Sequence, residues 1–150
     1  MKAVIFILMQ LVATFAFIYS AAGQGNYTIV IHGGAGVMVR ERMTEARQNE
    51  YLNHLENALA VAEKSLKNGG DCRDAVVAAI NYMEDCPLFN AGKGAVFAHN
   101  GKNELDASFM YGKTLGAGAV AGVTDIKNPI TAARAIMEKS EHVFLSGKGA

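Results

Sequence analysis

The chain has 150 residues, 14 basic and 14 acidic, with 51% hydrophobic residues and only two cysteines, Cys72 and Cys86. It carries no basic stripe, so nucleic acid is not expected as a partner. Residues 1–24 read as a secretory signal. Lys2 precedes an uncharged run from Ala3 to Tyr19, and Ser20, Ala21, Ala22 and Gly23 offer a small-residue exit. The competing reading of that run is a membrane anchor, since it is nearly long enough to span a bilayer. The signal reading implies a secreted or periplasmic protein with no membrane contact once residues 1–24 are removed. The remaining stretch, 25–150, holds 13 basic and 14 acidic residues and is long enough for one modest core.

In chain order, residues 26–31 alternate Tyr27, Ile29 and Ile31 with Thr28 and Val30, which predicts a buried strand running into the glycine turn His32-Gly33-Gly34-Ala35-Gly36. Thr44 suits a helix N-cap, and Leu52, Leu55, Leu59, Ala62 and Leu66 step by three and four until Asn68-Gly69-Gly70. Asp71 caps a second helix, with Ala75, Val76, Ala79, Ile80 and Met83 expected inside, until Pro87 stops it. If that helix is real, Cys72 and Cys86 lie about 21 Å apart at 1.5 Å per residue. That is beyond disulfide reach, so both are expected as thiols.

Beyond Pro87 the texture changes. Residues 95–98, the Asn100-Gly101 dipeptide and residues 104–111 predict a hairpin with a type I′ turn. Gly112-Lys113 turns the chain into 114–122, a segment so rich in glycine and alanine that another layer must approach it closely. Asn128-Pro129 starts a helix with Ile130, Ala133, Ile136 and Met137 inward, and 142–146 is a last short strand. Antiparallel hairpins after a helix pair predict an α+β layered fold with antiparallel sheets, not alternating βαβ units. The stop at Gly147-Lys148-Gly149-Ala150, directly after a strand, reads as a truncated chain.

The chemistry concentrates in two places. His32 to Gly36 follows a strand, yet a dinucleotide fingerprint needs glycine where Val39 stands, and neither Gly-Lys-Gly segment has the hydroxyl of a P-loop. The four histidines have no metal-ligand spacing. Asp106 is either a solvent-facing strand residue or a buried carboxylate fixing the loop around Asn90. That loop, Cys86-Pro87-Leu88-Phe89-Asn90-Ala91-Gly92-Lys93-Gly94-Ala95-Val96-Phe97, sets one amide side chain among residues that want burial and glycines that permit close backbone approach. Asn90 either satisfies its own loop or holds a polar group still beside a core.

Together, Ile31 to Gly36, Glu84 to Phe97, Glu104-Leu105-Asp106-Ala107-Ser108, Gly116 to Val123, Asn128-Pro129-Ile130 and Ala132-Ala133-Arg134 resemble the plant-type L-asparaginase / isoaspartyl peptidase family of N-terminal nucleophile hydrolases. The resemblance runs from Tyr27 to Ala150 in order. It implies an αββα four-layer sandwich and a precursor that cuts itself to expose a threonine. The threonine hydroxyl then attacks the side-chain amide or isopeptide carbonyl of an aspartyl unit, with its own amine as base. It further implies that Gly33 and Gly34 belong to a glycine loop used in self-cleavage, and that Asn90 lies near the nucleophile. The backbone carbonyls of Met83, Glu84, Cys86, Phe89, Ala91 and Lys93 would wrap a structural sodium ion. No catalytic cofactor is implied.

The family's Gly-Thr-Val-Gly-like nucleophile segment is absent here; Lys113-Thr114-Leu115-Gly116 is the nearest mimic and lacks the leading glycine. The stretch is therefore expected to be the amino-terminal (α-subunit) portion. Its expected partners are a small substrate (asparagine or β-aspartyl dipeptides), its own C-terminal β-subunit, and a second αβ unit. Two rival readings stay open: a catalytically inactive binding or regulatory remnant, and a glycosylasparaginase-like amidase.

Overall fold

The computed structural model describes residues 27–34 and 40–150; the expected signal, Asn26, Ala35 and Gly36 lie outside the described residues. Among the described residues the elements run α1 (Glu45–Lys67), α2 (Cys72–Glu84), β1 (Leu105–Tyr111), β2 (Gly116–Val123), α3 (Pro129–Lys139) and β3 (Phe144–Ser146). Helices beside a small mixed sheet place the chain in the α+β class. No helix among the described residues is long and apolar enough to cross a membrane.

Helix ends follow local chemistry. Thr44 Oγ1 accepts the Arg47 N–H at 3.2 Å, and Asp71 Oδ1 accepts the Arg73 N–H at 2.8 Å, so both expected caps satisfy amides that a helix start leaves open. At the end of α1, Gly69 takes φ +78°. The Gly69 and Gly70 amides then reach back to the Leu66 and Ser65 carbonyls at 3.0 and 2.9 Å. Pro129 occupies the first turn of α3, where its missing N–H costs no helical bond.

Small residues join the first two helices: Ala62 of α1 packs on Ala75 and Ala79 of α2, with Ile29, Ile31 and Leu66 around them. Val77 and Ile80 point α2's next face toward Phe109, Ile130 and Ala133. Val76, expected inside, falls between these two faces and is exposed, as is Leu52 on α1. The free Cys72 is exposed and the free Cys86 buried, in keeping with the helix that separates them.

The sheet order is β1-β2-β3. β1 and β2 pair antiparallel, from Tyr111 opposite Gly116 to Leu105 opposite Val123. β2 and β3 pair parallel, Ala119 to Ala121 lying beside Phe144 to Ser146. The expectation of antiparallel pairing throughout is thus overturned: α3 carries the chain back across the sheet, making β2-α3-β3 a βαβ unit. The glycine-rich strand does mark close approach. A Cβ on Gly118 would lie 2.2 Å from the Ala133 carbonyl oxygen and 2.4 Å from the Met137 nitrogen, so α3 rests directly on the β2 backbone.

Two other expectations fail. Residues 27–31 keep the predicted alternation, with Ile29 and Ile31 half-buried, but among the described residues they pair with no strand, and Val30 is 86% exposed. Residues 95–98 form no strand either. Their turn is a three-residue loop, closed by Ala98 N–H to the Lys102 carbonyl at 2.8 Å, with only Gly101 at positive φ. Asn100 keeps an ordinary backbone because its side chain is used instead, accepting the Lys102 N–H at 2.9 Å and donating to Glu104 at 2.7 Å.

Candidate functional site

Residues 85–97 leave the end of α2 and fold into a tight loop whose shape is set by glycines. A Cβ on Gly92 would meet the Glu84 carbonyl oxygen at 2.4 Å; one on Gly94 would meet the Phe89 and Pro87 carbonyl oxygens at 2.2 and 2.7 Å. Gly92 also takes φ +48°, a region that side chains disfavour. Any other residue at these positions would push the loop open. Within the loop, the Ala91 N–H donates to the Phe89 carbonyl at 2.8 Å and the Gly94 N–H to the Ala91 carbonyl at 3.0 Å.

Side chains from elsewhere pin this loop. Tyr51 of α1 donates its hydroxyl to the Leu88 carbonyl at 3.0 Å, while its ring meets the buried Phe89 edge-on at 6.1 Å. Asn103 donates Nδ2 to the Ala95 and Val96 carbonyls at 2.7 and 3.2 Å. Phe89 also brings in the leading segment: a Cβ on Gly33 would sit 3.5 Å from the Phe89 ring and 3.2 Å from a Leu55 methyl. Gly33 and the Asn90 loop, far apart in sequence, are therefore neighbours. Gly34 takes φ +113°, and its N–H donates to His32 Nδ1 at 3.2 Å.

Asn90 itself is exposed, and its Oδ1 accepts the Val96 N–H at 2.9 Å. It satisfies its own loop, and that bond fixes which way the amide turns. Its Nδ2 end has no partner among the described residues. A cavity of about 300 Å³ runs beside it, lined by Asn90, Glu84, Glu104, Asp106, Val96 and Pro129 among others.

Of the two readings of Asp106, the solvent-facing strand residue is the one observed, and the buried carboxylate holding the Asn90 loop is not. It is exposed, and its Oδ1 accepts the Gly122 N–H at 2.8 Å, where β1 and β2 slip register between Leu105 and Ala107. Gly122 takes φ +62° at this bulge, so the carboxylate satisfies an amide that the ladder leaves over.

Glu84 is the residue that sequence reasoning undervalued. Only its carbonyl was singled out, yet its side chain is 3% exposed. One carboxylate oxygen accepts the Ile130 N–H at 3.0 Å and the other accepts Asn128 Nδ2–H at 3.1 Å, so Glu84 caps α3 from a distance. Burial raises its pKa above the ordinary carboxylate value, partly offset by those two bonds. Neighbouring Asp85 is shifted the other way, chiefly by its hydrogen bond from Lys127. A signal did exist. Two acids close α2 with no base in its last turn, against the helix dipole, which points to a partner outside the helix. Tyr51 and Asn103 carried no such mark.

The sequence profile of the asparaginase family matches residues 25–150. The chain belongs to that family. An isoaspartyl peptidase of Escherichia coli strain K12 is 46% identical over 126 residues, covering 84% of this chain and 39% of that protein. A plant-type L-asparaginase of Pyrococcus horikoshii is 48% identical over 122 residues, 81% of this chain and 38% of the relative. This asparaginase-family chain thus spans under two fifths of the length of these relatives.

Proposed function

We propose that this chain is the amino-terminal part of a self-processing threonine hydrolase acting on L-asparagine and β-aspartyl (isoaspartyl) peptides, built as an αββα sandwich and exported. The observation that carries the reading is the Asn90 amide. The Val96 N–H holds its oxygen, which leaves the NH2 end as a donor beside a cavity, in a chain of asparaginase descent. A donor that need not reorganise is what stabilises charge developing on an attacked carbonyl. The threonine would come from polypeptide beyond Ala150, its hydroxyl activated by the amine that self-cleavage frees. Gly33 and Gly34 would supply the adaptable backbone for that cleavage, close to the loop through Phe89.

The loop also suits a structural sodium ion. The glycine seats bring the Glu84, Pro87 and Phe89 carbonyls against the backbone of residues 92–94, and neutral oxygens are the donors that a hard cation takes. The carbonyls of Met83, Glu84, Cys86, Phe89, Ala91 and Lys93 would hold it. Phe89 and Ala91 each accept one N–H and keep a second lone pair. Bound sodium would supply rigidity rather than chemistry.

Expression of the full-length polypeptide tests the reading. Two bands on a denaturing gel, a new threonine amino terminus and release of aspartate from a β-aspartyl dipeptide are expected, with Asn90→Ala lowering turnover by about 100-fold or more. A single uncut band without turnover would favour the binding remnant, and cleavage of glycosylated asparagine alone would favour the glycosylasparaginase branch.

A further inference from the structure

We propose that the Glu84 carboxylate is the positioning residue of the carbonyl ring, a strut that aims the ring from α3; this rests on the sodium reading above. Glu84 is the last residue of α2 and faces two ways. Its side chain is held by Ile130 N and Asn128 Nδ2 at the start of α3, while its main-chain oxygen is the surface on which Gly92 sits. At a helix end the last carbonyls have no intrahelical donor, so the helix alone does not set their direction. Fixing the Glu84 side chain at two points removes that freedom. The carbonyl at the head of the loop then points one way, and Gly92 closes against it.

The donor pattern explains why the residue is a carboxylate. Two N–H donors arrive on two different oxygens, and a carboxylate offers an acceptor at both. A glutamine has one acceptor and would turn its own NH2 toward a donor. Groups that hold ligands in place typically alter metal affinity by about 10 to 100-fold when removed. Asn128 is the complementary half of the strut: it sits at the N-cap of α3 but makes no cap bond with its own side chain, which turns to Glu84 and Asp85 instead.

The test uses the full-length protein and follows its melting temperature in sodium chloride against choline chloride at equal ionic strength. A sodium-specific rise is expected, because an ion that binds only the folded state stabilises it. Glu84→Gln should move the half-saturating sodium concentration upward by about 10 to 100-fold. Adding Asn128→Asp exchanges donor for acceptor and should return most of that loss, which a merely structural cap would not predict. If Glu84→Gln does not fold, Asn128→Ala removes one donor and leaves the Ile130 bond, and its midpoint should still rise. An unchanged midpoint in these variants overturns the strut. Absence of any sodium-specific shift in the unaltered protein overturns both strut and ring. Hydrolysis of a β-aspartyl dipeptide, scored separately, decides the enzymatic reading whichever way the ion result falls.

Discussion

The two ends of α2 are both tied to α3, by opposite physics. At the amino end the ties are ion pairs near the surface. Arg73 of α2 reaches Glu138 of α3 at 3.2 Å, and Arg134 of α3 reaches Asp74 of α2 at 2.7 Å. Each arginine also pairs locally, Arg73 with Asp71 at 2.9 Å and Arg134 with Glu138 at 3.0 Å. Arg73 also lies 4.6 Å over the Tyr111 ring. At the carboxyl end one buried carboxylate meets two N–H donors, and the chain then turns through glycines with no room to spare. The helices therefore run antiparallel, with the start of α3 at the end of α2. Charges in water tolerate small displacements and are individually weak; buried acceptors and backbone contacts tolerate almost none. The candidate site lies at the rigid end.

The largest effect should come from filling a glycine seat at that end. Gly94→Ala places a methyl 2.2 Å from the Phe89 carbonyl oxygen, where backbone must give way, and should cost about 3 kcal/mol or more in urea denaturation. A loss within experimental error would mean that the loop is not rigid and the contrast is false. A smaller effect is expected at the opposite end. Arg134→Ala breaks pairs to Asp74 and Glu138, yet the partly exposed network should contribute about 1 kcal/mol or less, shrinking further in 0.5 M salt as screening shortens the reach of charge. A salt-independent loss would mean packing, not charge, holds the amino end.

The smallest effect is in pH. The Arg73 guanidinium, bonded to Asp71, and the Arg73 backbone N–H hold the Asp71 carboxyl well below the usual carboxylate range. A carboxyl depressed in the fold adds stability that is complete above its ordinary pKa of about 4 and is lost as pH falls through the folded value. The melting-temperature gap between the unaltered protein and Asp71→Asn should therefore narrow from pH 7 to pH 3. A gap that stays constant would separate Asp71's cap from its charge.

Much of the fold was legible wherever the information is local. Thr44, Asp71 and Pro129 start helices through bonds or ring geometry within a turn, and Gly69 ends one the same way. The crowding on Gly118 was readable because no side chain at all is a strong statement in a strand. The parallel pairing of β3 was not readable, since the partner of Phe144 to Ser146 lies across a helix and nothing in three residues names it. In the site, Asn90 and the glycines stood out by type. Their arrangement did not, and the amide that the exposed Asp106 accepts from, Gly122, was not legible because it exists only at the β1-β2 bulge.

By itself, the order of residues determined where helices begin and end, which strand had to be bare, and the kinship that the loop motif carries. Tertiary structure alone decided that Glu84 is an internal cap for α3, that Tyr51 and Asn103 pin the Asn90 loop, and that Gly33 rests against Phe89. The division has one cause. Backbone propensity and capping act over a few residues, whereas a buried acceptor is satisfied by whichever donor the packing delivers, and that donor stands 46 positions away for Glu84 and Ile130.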